Sequence, residues 1–451
     1  MSEKIMFIVP NAMGHIHPAF GLARILAKKG YSILFAVPHP IHQYVVKNGF
    51  RCISLDGLPF ATNGENFMDM TNKEFRIGYL DNLIDRLYDK LYNARENRML
   101  QLVEEHRPDI ILLDSFQSSD FLILYKLLKK YNIKFGFIQI MLSFIQQPKS
   151  LPLDCCVIPD ETTDYDKHWK RYYARRFFKD VSDRIIFMGK SNLSMIKDKF
   201  KKNGIPLKYS ISTKQVFRVG FNNIPELITT PFELEFTNHK QHYQQYLGSV
   251  IDHERKETYE PSFISFFDQI DQTSKIIFCS LGTVYTVSNK SSQINQFFTS
   301  LIDVAKKLKD YIFVVSLSKE YSAKLGRTPP NIHFFENVPQ LMILSKTSVF
   351  ITHGGSQSVK ESIYNRVPML AYPIWWDQPG FAARIAYYGL GLVGTLGTDN
   401  ADQITEKINL LIYDKSFYDR LHRFSVNLAK NYTEDSILQK FEETFAGQII
   451  E

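Results

Sequence analysis

SVFITHGGSQSVKESIYNRVPMLAYPIWWDQ, residues 348–378, is the stretch whose reading decides how this chain folds. The run SVFIT (348–352) is short and apolar, the length of a buried strand. Gly354 and Gly355 follow, and a helix then opens with Ser356, Gln357 and Ser358 in its first turn. A strand, a Gly-rich turn and a helix N-terminus form an anion seat, because free backbone N–H groups and the positive end of the helix dipole face the ligand. Glu361 lies three residues past Ser358, one turn down the same face, where a carboxylate can accept from two ribose hydroxyls. A second apolar strand, PMLAYPI (368–374), runs out at Trp375, Trp376, Asp377 and Gln378. Asp377 and Gln378 thus form a polar pair at a strand's carboxyl end, where open α/β sheets bind ligands. Phosphate, ribose and sugar-hydroxyl chemistry between residues 353 and 378 points to a nucleotide-sugar site. A Gly turn before a helix also serves plain strand–helix packing; the further polar residues at matching spacing weigh against that reading.

Outward from this stretch the alternation of strand and helix continues. KIIFCSLGT (275–283), YIFVVSL (311–317) and IHFFENV (332–338) read as further strands of the same sheet. The first half repeats the pattern with IMFIVP (5–10), a helix through Ala19–Lys29 ended by Gly30, SILFAVP (32–38), a long helical stretch over 77–105, RPDIILLDS (107–115) and IKFGFIQI (133–140). Such strand–helix–strand units force parallel pairing with right-handed crossovers. The expected fold class is α/β, with two Rossmann-like doubly wound domains. Residues 142–186 read as loops and short helices without a clear period, and the pattern dissolves again over about 220–262. The expected division is a first domain over 1–235, a linker over 236–262, a second domain over 263–432 and a terminal helix within 433–451. That helix places Ile437, Leu438, Phe441 and Phe445 on one face.

At 451 residues, 44% hydrophobic and 22% charged, the chain is long enough for two cores. Its net charge of +7 is modest and no nucleic-acid recognition motif accompanies it, so no nucleic-acid partner is expected. Four cysteines, of which Cys155 and Cys156 are adjacent, suit neither a disulfide framework nor a zinc site. They read as reduced thiols of a cytoplasmic protein, and a monomer is expected. The apolar run at the N-terminus is too short for a signal-peptide core, and no window approaches eighteen consecutive apolar residues, so no transmembrane segment is expected. KHWKRYYARRFFK (167–179) is basic and aromatic together, a candidate for weak contact with an anionic membrane surface. The plainer reading is a solvated amphipathic helix whose aromatics pack inward.

The 353–378 segment resembles the donor-binding signature of the UDP-glycosyltransferase superfamily, the inverting enzymes of the GT-B fold. In that signature a His lies on the pyrophosphate, a Ser or Thr on phosphate, a Glu on ribose and an Asp-Gln pair on sugar hydroxyls. His353, Ser358, Glu361, Asp377 and Gln378 fall on those positions without a gap. The resemblance extends the donor site to Gly355, Ser356, Gln357 and Trp376, and to Val338 and Gln340 in VPQLMIL (338–344). It also places Gly282 and Thr283 of SLGT near the diphosphate. Two departures stand out. Asn337 occupies the place of a Trp that stacks on uracil in many members, leaving Phe334 or Phe335 for that task, and Phe381 replaces an Asn three residues past the Asp-Gln pair. The resemblance further implies two domains facing across a cleft, the first holding acceptor and the second UDP-sugar, with the terminal helix returning to the first. Vertebrate relatives carry a C-terminal anchor, whereas this chain ends QKFEETFAGQIIE, so the form implied is the soluble one of bacteria, plants and some arthropods.

In GHIHP (14–18), His15 is expected in a turn at the carboxyl end of the first strand. An imidazole titrating near neutrality suits removal of a proton from a hydroxyl, and the His of this Gly-His turn is the general base in the resembled family. His17 falls where relatives often have Asn and reads as turn structure. A buried carboxylate would fix the tautomer of His15. Asp114 in ILLDSF is the candidate; Asp120 is a rival, and Asp109 points to the opposite end of the sheet. Asp164-Tyr165-Asp166 is the Asp-x-Asp triplet that glycosyltransferases of the other common fold use for metal. Here it lies in a polar loop and reads as solvated acidity, so no metal and no cofactor is expected. The resemblance implies transfer of a hexose, glucose foremost, from a UDP-sugar to a hydroxyl of a small lipophilic acceptor of flavonoid, carotenoid, macrolide or xenobiotic type, with cleft closure excluding water. Acceptor contacts are expected from the 62–90 region, from LSFIQQP (142–148) through Phe144, and from Trp375. Two rivals stay open: a non-catalytic nucleotide-sugar-binding protein, which would lack the His-Asp pair, and a UDP-sugar epimerase, which would need no acceptor site.

Overall fold

The apolar runs are strands buried on both faces. A computed structural model of the chain describes residues 2–57, 59–61, 78–271, 273–282 and 290–451. It divides into two compact units: one formed by the chain up to Pro152, by Asp164–Arg255 and by Tyr432–Glu451, the other by Leu153–Thr163 and Lys256–Asn431.

The first unit is built on a parallel sheet of seven strands: β1 (Lys4–Ile8), β2 (Ser32–Val37), β3 (Arg51–Ser54), β4 (Ile110–Asp114), β5 (Lys134–Gln139), β8 (Glu226–Ile228) and β9 (Gln244–Tyr246). Their order is β3-β2-β1-β4-β5-β8-β9, while β6 (Ile211–Ser212) and β7 (Gly220–Phe221) form a separate antiparallel pair. Met6 and Ile8 of β1 enter one core and Ile5 and Phe7 the other, so the strand is apolar at every position from Ile5 to Ile8 rather than at alternate ones. The second unit repeats the plan with β10 (Lys275–Ser280), β11 (Tyr311–Ser316), β12 (Ile332–Phe335), β13 (Thr347–Thr352), β14 (Met369–Ala371) and β15 (Gly391–Val393), all parallel in the order β12-β11-β10-β13-β14-β15. In β10, Ile277 and Cys279 face one core and Ile276 and Phe278 the other.

Each sheet therefore has one point where the strand order reverses, between β1 and β4 in the first unit and between β10 and β13 in the second. The connections leave in opposite directions there, and the carboxyl ends of the two strands flank an opening suited to ligands.

Three expectations are corrected. The linker assigned to 236–262 instead belongs to the first unit as far as Arg255, with β8 pairing on β5 and β9 on β8. These strands are three residues each, too short to show a period. Residues 153–163, expected in the first domain, lie in the second unit. Within 142–186, Tyr165–Ile186 is one continuous helix of 22 residues. Its apolar side chains are not confined to the buried face, which blurs the periodic signal. The terminal helix, Glu434–Phe445, places Ile437, Leu438, Phe441 and Phe445 in the first unit's core beside Ile5, Phe7 and Ala19. Among the described residues no helix is long and apolar enough to cross a membrane.

Candidate functional site

Polar residues collect at both points of strand reversal. After β1 the chain enters a helix, Met13–Lys28, with Ala12 as its extended N-cap. His15 is the third residue of that helix, not a member of the turn before it. The residue is 7% exposed. Its Nδ1 lies 2.8 Å from Oδ2 of Asp114, the last residue of β4 and fully buried. The other carboxylate oxygen, Oδ1, accepts from the Phe116 backbone N–H at 2.9 Å, so Asp114 is held at both ends. With an ionised carboxylate as partner, Nδ1 carries the proton and Nε2 is left as the basic nitrogen. The Phe116 ring stands edge-on to the imidazole, 4.9 Å between centroids.

The neighbouring histidine and carboxylates have other work. His17 is half-buried, bonds the Tyr44 hydroxyl at 3.0 Å, and is held well below the usual imidazole range by desolvation and by Arg255; it lies within the Met13–Lys28 helix rather than in a turn. Asp120 pairs with Arg95 at 2.8 Å in a buried ion pair, and Asp109 accepts from the Lys4 backbone N–H.

In the second unit, β10 ends at Ser280 opposite Thr352 of β13, and the residues that follow meet. The His353 ring packs so closely on two glycines that a Cβ on Gly282 would lie 2.8 Å from its Cε1, and one on Gly355 would lie 2.5 Å from its Nε2. Only glycine fits at either position, and Gly282 also holds φ at +70°. Burial pushes His353 down to about 4, with a hydrogen bond to the Ser280 backbone partly offsetting it. The ring is thus neutral at pH 7, and its buried Nδ1 has no hydrogen-bond partner among the described residues. The Ser356–Asn365 helix starts beside it, with Gly355 as an extended N-cap that offers no side chain to the first turn.

Along that helix Glu361 is fully buried. Its carboxylate accepts from the Gln340 amide at 2.7 Å and the Gln357 amide at 2.6 Å, and Ser358 lies 3.5 Å from Gln340 Oε1. Asp377 and Gln378 follow β14 at the start of the Gln378–Tyr387 helix. Gln378 Oε1 accepts from the Ile374 and Trp375 backbone N–H groups, which leaves its amide nitrogen as the end able to meet a hydroxyl. Trp376 holds φ at +58°, a left-handed conformation costing about 1–2 kcal/mol in a non-glycine residue. The tight reversal puts Asp377 at the strand end.

Other expected residues are placed differently. Thr283, and residues 62–77 of the region assigned to the acceptor, lie outside the described residues. Phe144 is 1% exposed and packs edge-on against Phe116 and Phe217, so the aromatic beside His15 is Phe116. Phe335 stacks edge-on against Phe263 in the core, which removes it as a surface for a base; Phe334 and Val338 are half-buried against the second unit's cores, and Asn337 is exposed. Phe381 is fully buried, an apolar contact where the resembled family has Asn. Trp375 packs on the second unit's core, with Nε1 lacking a partner among the described residues. Asp164 caps the Tyr165–Ile186 helix by accepting from the Lys167 backbone N–H at 3.0 Å, so the Asp-x-Asp triplet is a helix start rather than a loop. Among the described residues no group of three or more His, Cys, Asp or Glu side chains is placed to hold a metal ion.

One residue of the site was missed. Lys360 is fully buried and pushed down to about 7 by burial, while the charges of Glu361 and Asp377 pull it back up. A lysine sharing a helix face with Ile363, three residues on, was the available signal.

Residues 157–430 match the family model described as "UDP-glucoronosyl and UDP-glucosyl transferase". The chain is similar to an uncharacterized UDP-glucosyltransferase, YdhE, of Bacillus subtilis (strain 168), with 26% identity over 38% of this chain and 41% of that protein. It is also similar to the oleandomycin glycosyltransferase of Streptomyces antibioticus, with 29% identity over 35% of this chain and 35% of that protein. The chain thus spans about two fifths of the length of the curated relatives it matches. In structure it resembles the glycotransferase of kitacinnamycin, with a TM-score of 0.68 and 18% identity over 98% of this chain and 99% of that one.

Proposed function

The chain belongs to the UDP-glucoronosyl and UDP-glucosyl transferase family, and from that premise we propose that it moves a hexose from a UDP-sugar to a hydroxyl of a small lipophilic acceptor. The second unit holds the donor. The N-terminal end of the Ser356–Asn365 helix, with its positive dipole end, and the His353 ring beside it take up the charge of the departing diphosphate. Glu361 exchanges amide contacts for the ribose hydroxyls, and Asp377 with the Gln378 amide holds the sugar. The first unit supplies the base. His15 Nε2 takes the acceptor's proton, Asp114 stabilises the imidazolium, and the freed oxygen attacks the anomeric carbon as its bond to UDP breaks, with inversion. Glucose is the first sugar to test.

The buried His15–Asp114 bond carries this reading over a non-catalytic binding protein, because binding alone needs no oriented imidazole with a basic nitrogen. Incubation with UDP-glucose and a panel of flavonoid, carotenoid, macrolide and xenobiotic alcohols should give products heavier by one hexose. His15→Ala should keep UDP affinity and lower transfer roughly 10²–10⁴-fold. Near-normal turnover in that variant would remove the base from the mechanism. A changed sugar formed without acceptor would indicate an epimerase, and UDP binding with no product would leave a binding protein.

A further inference from the structure

An apolar surface on the first unit lies outside the His15–Asp114 pair and the donor residues. Of 25 large hydrophobic side chains exposed among the described residues, eleven lie on the Tyr79–Tyr88 helix, on the Tyr165–Ile186 helix, or at Met188 just beyond it. The longer helix is docked by one face. Trp169 is buried and its Nε1 donates to the Ser150 carbonyl; Tyr173 bonds Gln146, and Arg176 bonds the Gln215 carbonyl. On the opposite face Phe177, Phe178, Val181 and Ile185 are 63%, 69%, 36% and 76% exposed. Their spacing of one, four and eight residues from Phe177 puts them on a single stripe.

The second helix extends the stripe. Tyr79 stacks on Phe187 at 5.8 Å and donates to the Ile186 carbonyl, and Arg86 lies over the same Phe187 ring. Leu80, Ile84, Leu87 and Tyr88 on this helix are also exposed.

The charges identify the occupant. Lys167, Lys170, Arg171, Arg175, Lys179 and Arg184 are exposed on the longer helix, against one exposed carboxylate, Asp166. Asp180 and Asp183 are half-buried and already paired, with Arg184 at 2.9 Å and Lys179 at 3.5 Å. A second copy laid on this surface would set cations against cations. An anionic bilayer accepts both features, with rings at the acyl boundary and cations among the headgroups. We propose that this two-helix surface docks the protein on an anionic lipid bilayer.

Co-sedimentation with vesicles tests this, one set of phosphatidylcholine alone and one with phosphatidylserine added. Binding is expected to the anionic vesicles only, and to weaken as salt rises. Lys170→Ala with Arg171→Ala should weaken it roughly fivefold for each cation removed, and Phe177→Ser with Phe178→Ser should weaken it at least as much. These side chains are exposed, so the melting temperature should hold in both variants. Absence of binding, equal binding to neutral vesicles, or binding untouched by both double variants would overturn the proposal. So would a dimer that Phe177→Ser with Phe178→Ser dissociates in light scattering, since the surface would then be a self-contact.

Discussion

Two side-chain amides, those of the half-buried Gln340 and the buried Gln357, converge on Glu361, and this changes what its removal does. Glu361→Ala should weaken UDP binding by about 1.5–3 kcal/mol through lost charged hydrogen bonds to ribose. It should also lower the melting temperature, because both amides lose their acceptor. Unchanged UDP affinity in calorimetry would remove Glu361 from the donor site even if stability fell. His353 supplies a pH signature. Its folded-state value of about 4 lies below the ordinary 6.5, so the unfolded chain binds the proton first as pH falls. The contribution is intact at and above pH 6.5 and is lost progressively toward pH 4, on the order of 2 kcal/mol of it by pH 5. His17, also held low by burial, acts in the same direction. Urea unfolding at pH 7 and pH 5 should therefore show a smaller pH-dependent loss for His353→Asn than for the native chain. Equal losses would mean the ring is not buried neutral.

At the scale of elements, a residue in a functional-looking pattern can carry a structural task. Asp164 sits in an acidic triplet, yet its carboxylate caps the helix that follows by accepting from Lys167 N. Asp164→Ala should cost about 0.5–2 kcal/mol of stability while leaving transfer intact, and transfer should survive EDTA. An enzyme silenced by chelator and restored by manganese or magnesium would show that the leaving group needs a divalent ion. The converse holds at the strand ends. His15 and Asp114 are unremarkable in isolation, but β1 and β4 are neighbours, with Ile8 opposite Leu113, so residues 99 positions apart arrive within hydrogen-bond distance. Gly282 and His353 meet by the same device across β10 and β13.

At the level of the whole chain, two units with separate cores should unfold in two transitions. UDP at about a hundred times its dissociation constant should stabilise the second unit's transition by about 2.7 kcal/mol. Phe441→Ala, a fully buried ring in the first unit, should lower the other transition by about 3–5 kcal/mol. A single calorimetric transition shifted alike by both would show that the units melt as one. The local order of the candidate site was legible because its elements are consecutive: strand, turn, helix and strand follow one another over 348–378. The α/β class was legible for the same reason, since strands buried on both faces are continuous apolar runs. Short strands such as β8 and β9 carry no period and are recognisable only through pairing with β5, which moved the expected boundary to Arg255. Burial, too, is a property of the assembled unit. It made Phe144 and Phe335 core residues, left His353 neutral, sank Lys360 beside two carboxylates, and turned Phe177 and Phe178 outward, because which face of a helix meets a core depends on what packs against it and not on the helix's own residues.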